Sequence, residues 1–507
     1  EKSVVMSNHS MSSHLTNVWK IGSSCTPRSW LYEKEDPKRV LDNWLVILKT
    51  SLSSHKYKDI IINFEEGQIP KFGPQGCIPP LSEEMSLYDT QYFPGTEPAL
   101  FKSAEWIKAI DSTRSKIFGA SVNKRPLSSK SVVERMRRDS KLSTNSGWNA
   151  YTRRNKPSTL SKAILDSDDR NWLRFPALTL LRNQFGKDRI IWMFPLATNI
   201  NENKFVFVLM DIARKALVPT LSPWEGFQSV KQTITEKWST TSRAVGGDIS
   251  AMDANFKYYH SDQVFKCISP IFQPIERENL KTSLDNLHNI EVILNTEQKL
   301  VGLHGVASGS SWTQFVETIF QCILLEYLGL SGIILGDDSC LFFPDTKVSR
   351  AREVVDAYSM VGLPANIEKQ SDEENFFIFL QRLFIRDVMS REDKNVIAGI
   401  YSTVRALTSC VYPERFYPPD DYNSDIFCIR IYMILENCVD SPAFEPFCEY
   451  VVKGQKDLIP FAKKTSEELD KLWENSKSIN DLVPSYNQEK LGSKLSSFAS
   501  IRYVGTL

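Results

Sequence analysis

The chain lacks several things, and each absence narrows its function. None of its nine cysteines is spaced CxxC, which argues against a zinc site. Their odd count and wide scatter, from Cys25 to Cys448, predict reduced thiols in a cytosolic setting. There is no excess of charge, because 61 Lys and Arg balance 61 Asp and Glu. Net charge therefore argues neither for nor against nucleic acid, and only its distribution is informative. No apolar run is long enough to span a bilayer. No signal-peptide pattern opens the chain, which begins at Glu1 and so reads as trimmed. Without a secretory signal, the sequon Asn8-His9-Ser10 reads as chance. Internal repeats and long low-complexity tracts are also missing. What remains is an ordinary globular composition, and 507 residues predict about three domains or subdomains.

Residues 1–30 are Ser-rich and weakly patterned, which predicts partly irregular structure. The spacing of Val40, Leu41, Trp44, Leu45, Ile47 and Leu48 predicts a helix over 36–52. Residues 67–98, rich in Pro and Gly, read as loop. Over 102–162 the charge balance shifts, with fifteen Lys and Arg against Glu105, Asp111, Glu134 and Asp139. Trp148 and Tyr151 stand beside Arg153 and Arg154. Such a segment follows a phosphate backbone and stacks on bases, or else is a solvated basic surface. Arg182, Lys187 and Arg189 flank Gly186 and enter an apolar run, as a cationic strand facing phosphates or as an exposed turn.

Acidic motifs come next. Residues 244–248 read as a strand ending in Asp248, and Asp253 follows five residues later. The pair is either a two-carboxylate strand end or a turn with a helix N-cap. Residues 255–300 look like a helical insertion. The stretch 304–321 begins as a Gly/Ser loop, where Ser308 or Ser310 can cap, and runs into a helix. His304 stands alone and reads as structural. Residues 332–343, GIILGDDSCLFF, predict a β-hairpin with Asp337 and Asp338 at its tip. Adjacent carboxylates repel and need a cation, a proton or water. Gly336-Asp337-Asp338 alone is a weak motif, equally a solvated turn. A helix over 348–361, a hairpin over 376–385 and a mostly helical remainder complete the chain. Within that remainder, 425–437 reads as amphipathic and Thr465 to Glu468 as a capping box.

From residue 244 the order is strand, helices, helix, hairpin, helix, the βαββα pattern of split βαβ, RRM-like sheets. In such a sheet the strand ending at Asp248 lies beside the hairpin tip at Asp337. Carboxylates meeting there suit two Mg²⁺ ions, with Mn²⁺ as a substitute, because these cations prefer hard oxygen ligands. Two ions serve in-line phosphoryl transfer, and Lys187 and Arg189 then neutralise a triphosphate.

In this order the motifs resemble those of viral RNA-dependent RNA polymerases, over about residues 180–385. Arg182, Lys187 and Arg189 match the fingers motif. Asp248 and Asp253 match the DxxxxD of motif A, and Ser308, Gly309 and Thr313 the SGxxxT of motif B. Gly336-Asp337-Asp338 matches motif C. The helix ending near Gly362, with Lys369 beyond it, matches motif D, and 379–384 matches motif E. One position departs: many positive-strand virus polymerases carry Asn four residues after the motif B Thr, and here Glu317 stands there. With GDDS at motif C and this chain length, that departure resembles small double-stranded RNA viruses, picobirnaviruses first and partitiviruses second.

The resemblance implies an α+β right-hand polymerase with fingers, an RRM-like palm and a helical thumb. It divides the chain into an N-terminal extension bridging fingers and thumb (1–90), fingers (91–243), palm with motif A (244–260), a fingers insertion (261–300), palm with motifs B to E (301–400), and thumb with C-terminal region (401–507). Asp248 and Asp337 are then the principal metal ligands, assisted by Asp338. Asp253 senses the ribose 2′-OH, with Glu317 altering the details. Ser308, Gly309 and Thr313 position template and nucleotide, Arg182, Lys187 and Arg189 bind triphosphate, and Lys369 is the general acid for pyrophosphate. Implied partners are RNA template and product, ribonucleoside triphosphates and viral capsid protein, inside the virion or in the host cytoplasm. The competing readings are a non-catalytic RNA-binding or packaging protein on the same fold and a reverse transcriptase. Three clustered carboxylates have no use in passive binding, and a reverse transcriptase normally has a bulky aromatic residue where Gly336 stands.

Overall fold

The apolar runs on either side of Asp337 pair as a hairpin, and a buried helix holds its tip. The computed structural model describes residues 2–344, 346–476 and 493–507. Near the N-terminus lie helices α1 (Pro37–Leu52) and α2 (Lys58–Glu66). Pro37 stands in the first turn of α1, and the Asp36 side chain caps it by accepting from the Arg39 N–H at 3.3 Å. Strands β1 (Ala177–Gln184) and β2 (Lys187–Met193) form a hairpin, followed by α3 (Leu196–Lys215). Then come β3 (Arg243–Gly247), β4 (Val292–Ile293) and β5 (Lys299–Leu300). Helix α4 (Thr313–Leu328) leads into β6 (Ser331–Leu335), β7 (Asp338–Phe343) and α5 (Ala351–Met360). Strands β8 (Phe376–Phe379), β9 (Arg382–Ile385) and β10 (Ile400–Tyr401) precede α6 (Thr403–Val411), and the described remainder is helical.

These strands make three sheets, ordered β2-β1-β4-β5, β10-β9-β8 and β3-β7-β6. The last is the sheet expected from residue 244, with β3 and β6 both antiparallel to the central β7. Helix α4 is apolar on more than one face: every residue from Phe315 to Leu325 is buried. A helix buried all round belongs to the middle of a core. That core joins Val245 of β3, Phe315 and Ile319 of α4, Ile333 of β6, Leu341 of β7 and Tyr358 of α5. A second core places Trp44 and Leu48 of α1 and Ile61 of α2 with Leu383, Ile400, Leu407 and Phe447. The Trp44 indole packs 4.8 Å from the Phe447 ring and donates to Thr403 Oγ1 at 2.9 Å.

Two sequence expectations need correction, and one is refined. Residues 1–30 are partly irregular as expected, over 22–30, but Lys2–Ser7 and His9–Thr16 are helical. Asn8 caps the second helix through the Met11 N–H at 3.1 Å, and buried Val5, Met11 and Leu15 pack against Trp148 and Leu178. Too few apolar residues carry this pattern for it to stand out in the sequence. The thiols are not all reduced: an antiparallel bridge between Ser23 and Ile78 brings Cys25 and Cys77 together as a disulfide. The other seven cysteines are free and buried. The Ser424–Glu436 helix is buried on most sides rather than amphipathic. The capping box at Thr465 is present, with reciprocal bonds to Glu468 at 2.8 and 3.2 Å. Among the described residues no helix is long and apolar enough to cross a membrane.

Candidate active site

The register of the β3-β7-β6 sheet decides which side chains meet. Gly247 pairs with Ser339, and Leu335 with Asp338, so β3 ends where the hairpin turns. Asp248 therefore emerges beside Asp337 and Asp338, although about ninety residues separate them. Gly336 makes the turn at φ +58°, a conformation that costs a residue with a Cβ. Polar side chains of α4 hold this glycine: Thr318 Oγ1 accepts its N–H at 2.8 Å and Gln321 Nε2 donates to its carbonyl at 2.7 Å. Gln321 Oε1 in turn accepts from Tyr358 at 3.0 Å, and Tyr358 Oη lies 2.5 Å from Ser339 Oγ. On the other strand, Gln370 clamps the Asp248 backbone, accepting its N–H and donating to its carbonyl, both at 2.9 Å. Both acidic strand ends are thus fixed by neutral amides and hydroxyls, leaving the carboxylates for other work.

Crowded charge dominates the site. Burial first, then Asp337 and Asp248, pushes Asp338 up to about 8. Burial, then the Asp253 charge, holds Asp337 above the usual carboxylate range. Asp253 sits in the single turn Met252–Asn255 and is itself raised by burial. Glu317, 3% exposed on α4, is raised well above its ordinary value by burial and then by Asp253, with which it shares a hydrogen bond. Its Oε1 has no hydrogen-bond partner among the described residues. A cation opposes this repulsion: Arg189 of β2 pulls Asp253, Asp337 and Asp338 back down. Among the described residues no three His, Cys, Asp or Glu side chains are drawn together tightly enough to hold an ion as they stand. The donor set nevertheless fits hard divalent cations: Asp248, Asp337 and Asp338 are oxygen donors at one sheet edge whose mutual repulsion a cation relieves.

The other expected residues divide by position. Arg182 and Arg189 are direct cross-strand partners, and Lys187 lies two residues from Arg189, so strand alternation puts all three on one face. They are nevertheless not equivalent. Arg182 forms a forked ion pair with Glu414, Nη2 to Oε2 at 2.9 Å, while Arg189 has no such partner among the described residues. Lys187 is exposed near Lys71, whose ammonium is lowered by burial, then by Arg405 and Lys187. Ser308 is exposed, with its Oγ 3.4 Å from the Trp192 N–H. The Thr313 hydroxyl is buried and donates to the Ala307 carbonyl at 2.5 Å, so it supports the loop. Neither Ser308 nor Ser310 caps α4; Trp312 occupies the cap, and Ser310 Oγ accepts the Trp312 N–H at 3.0 Å. Lys369 is exposed in the turn Ile367–Lys369, next to Gln370. His304 is buried and bonded to the Ile290 and Gly305 carbonyls, consistent with a structural residue. A cleft of about 990 Å³ opens at Ser308 and Gly309 and is lined further by Arg182, Arg154, Arg415 and Arg430.

Thr318, Gln321, Tyr358 and Gln370 were not legible as site residues. A polar pair at i, i+3 inside the apolar run of α4 was the available signal for the first two.

Comparison with known proteins agrees with this geometry. Residues 184–406 match the family described as viral RNA-dependent RNA polymerase. Over 460 residues, 85% of this chain and 82% of the relative, the chain is 27% identical to a potential RNA-dependent RNA polymerase of a human picobirnavirus. It is 25% identical to the RNA-directed RNA polymerase of Cryptosporidium parvum virus 1, over 59% of this chain and 63% of that one. The fold superimposes on the crystal structure of a human picobirnavirus RNA-dependent RNA polymerase with a TM-score of 0.81 at 22% identity, covering 98% and 97% of the two chains. An insertion-loop deletion mutant of that polymerase gives 0.80. With its α+β right-hand architecture and its ordered motifs, the chain is similar to the viral RNA-dependent RNA polymerases and is picobirnavirus-like.

Proposed function

We propose that this polymerase transcribes and replicates a viral RNA genome by two-metal-ion nucleotidyl transfer. The observation that carries the reading is the meeting of Asp248, Asp337 and Asp338 at one sheet edge, with Arg189 opposing their charge. Asp248 and Asp337 would hold the divalent ions, with Asp338 assisting. Bound there, two such ions stabilise the attacking and leaving oxygens of an in-line displacement. Arg189 neutralises the triphosphate, and Lys187 extends the positive face outward. Ser308 and Gly309 meet template and nucleotide at the mouth of the basic cleft. Exposed Lys369 hands a proton to the leaving pyrophosphate.

Purified protein given an RNA template, ribonucleoside triphosphates and Mg²⁺ is expected to make complementary RNA, and to make none when Mg²⁺ is chelated. RNA binding without incorporation on any template or metal would reduce it to a packaging protein. A preference for deoxyribonucleotides would make it a reverse transcriptase.

Asp253 is assigned to the ribose. Its carboxyl, beside Glu317 in the acidic cluster, can accept from a 2′-OH. Asp253→Ala is expected to lower the preference for ribo- over deoxyribonucleotides by about tenfold, the worth of one hydrogen bond to a charged group. Competing the two nucleotides at one template position measures it, and an unchanged ratio removes Asp253 from sugar sensing.

A further inference from the structure

The loop 308–311 is gripped from two sides, and only one grip involves a motif residue. On one side it lies on β2, the strand that carries Arg189. A Cβ on Gly309 would stand 1.7 Å from the Trp192 carbonyl oxygen, so only glycine lets the loop approach so closely. On the other side stands α3. Its Glu202 is 1% exposed, and every partner of its carboxylate is accounted for. Oε1 accepts from the Ser311 N–H at 3.1 Å and from Asn199 Nδ2 at 2.9 Å, and Oε2 accepts from the Ser310 hydroxyl. Asn199, one turn earlier on α3, also donates to the Gly309 carbonyl at 3.2 Å. Arg154 completes the cluster: its Nη2 donates to Asn199 Oδ1 at 2.8 Å and its charge offsets that of Glu202.

We propose that Glu202, supported by Asn199 and Arg154, is a positioning residue for polymerisation that sets the conformation of the 308–311 loop. Burying a carboxylate is costly, and a well-packed neutral side chain would hold α3 against the loop at less cost. A carboxylate offers several acceptor directions. Here they fix two consecutive loop residues while Asn199 fixes a third. That leaves Ser308 turned to the cleft, and it delivers the chain into α4, whose Thr318 and Gln321 hold the Gly336 turn. Glu202 thus reaches both the cleft and the acidic sheet edge through a single loop. The inference rests on the reading of Ser308 and Gly309 as template and nucleotide contacts.

A double-mutant cycle tests it on the full chain. Glu202→Ala and Ser310→Ala remove opposite ends of the same bond. Each is expected to lower kcat for single-nucleotide incorporation by about tenfold, and the double mutant to lose no more than the worse single mutant. Glu202→Gln keeps an acceptor for the Ser311 N–H and is expected to recover part of the loss. Should Glu202→Ala fail to fold, Ser310→Ala, on a half-exposed loop residue, decides alone. Wild-type kcat in both single mutants, or losses that simply multiply, would overturn the proposal. If Asp337→Ala is inactive while the loop variants turn over normally, this inference alone fails. If Asp337→Ala also polymerises, the catalytic reading fails with it.

Discussion

Asp337→Ala is expected to abolish RNA synthesis while the protein stays folded. The carboxylate sits at the hairpin tip and supports no other element of the fold. The turn is held instead by Thr318 and Gln321 through the backbone of Gly336. Removing it also removes a charge that burial and Asp253 already destabilise. The melting temperature should therefore hold or rise slightly. The activity should fall by on the order of a thousandfold, since each metal-held contact to the transition state is worth several kcal/mol. Nucleotide incorporation and thermal melting, measured on one preparation, separate the two effects. The same cluster predicts that Mg²⁺ raises the melting temperature of the wild type more than that of the mutant, because less repulsion remains to be relieved. Turnover close to wild type would sink the two-metal assignment, and a collapse in melting temperature would show that Asp337 is structural.

The site was readable where its chemistry demands particular residues in short strings. Asp248 and Asp253 lie five residues apart, and Asp337 and Asp338 are adjacent, so local order alone marks both. Their meeting could be expected because alternating strands on either side of a buried helix allow few sheet arrangements. What the sequence concealed is the long-range bracing. Gln370 clamps Asp248 from 122 residues away, and nothing in the string around Gln370 marks it for that task. Arg182 is a second case. It stands opposite Arg189 in the hairpin, and Glu414, 232 residues downstream, pairs with its guanidinium. An ion pair made by tertiary packing leaves no local trace in the sequence. The same holds for the N-terminal helices, whose sparse apolar residues make sense only against Trp148 and Leu178.

The largest expected effect on stability lies far from the catalytic cluster, at Glu65. This residue stands in the last turn of α2 with its side chain wholly buried, and it points at the first turn of α6. Oε1 accepts from the Thr403 N–H at 2.9 Å and its hydroxyl at 2.8 Å, while Oε2 accepts from the Ser402 hydroxyl at 2.6 Å and the Val404 N–H at 3.0 Å. The first N–H groups of a helix have no partner within it, and the helix dipole favours negative charge there. Glu65 satisfies two of them from another segment of the chain, and Ser402 covers Arg405 at 3.1 Å. Burial still holds the Glu65 carboxyl above its ordinary range despite four donors. Glu65→Ala strands those donors in a sealed core, at about 1–3 kcal/mol for each that finds no substitute. A loss of about 3–5 kcal/mol is expected in the unit formed by α1, α2, α6 and the C-terminal helices. Glu65→Gln should fall between, because its amide keeps one acceptor for Thr403 but turns a donor toward the Val404 N–H. Thermal melting of the three proteins orders them, and an alanine variant that melts with the wild type would disprove the cap. Activity measured below the transition should be spared in both variants, since no contact of Glu65 reaches Asp248, Asp337 or the 308–311 loop. Such a result would separate the residues that hold the two ends of the chain together from those that carry out the chemistry between them.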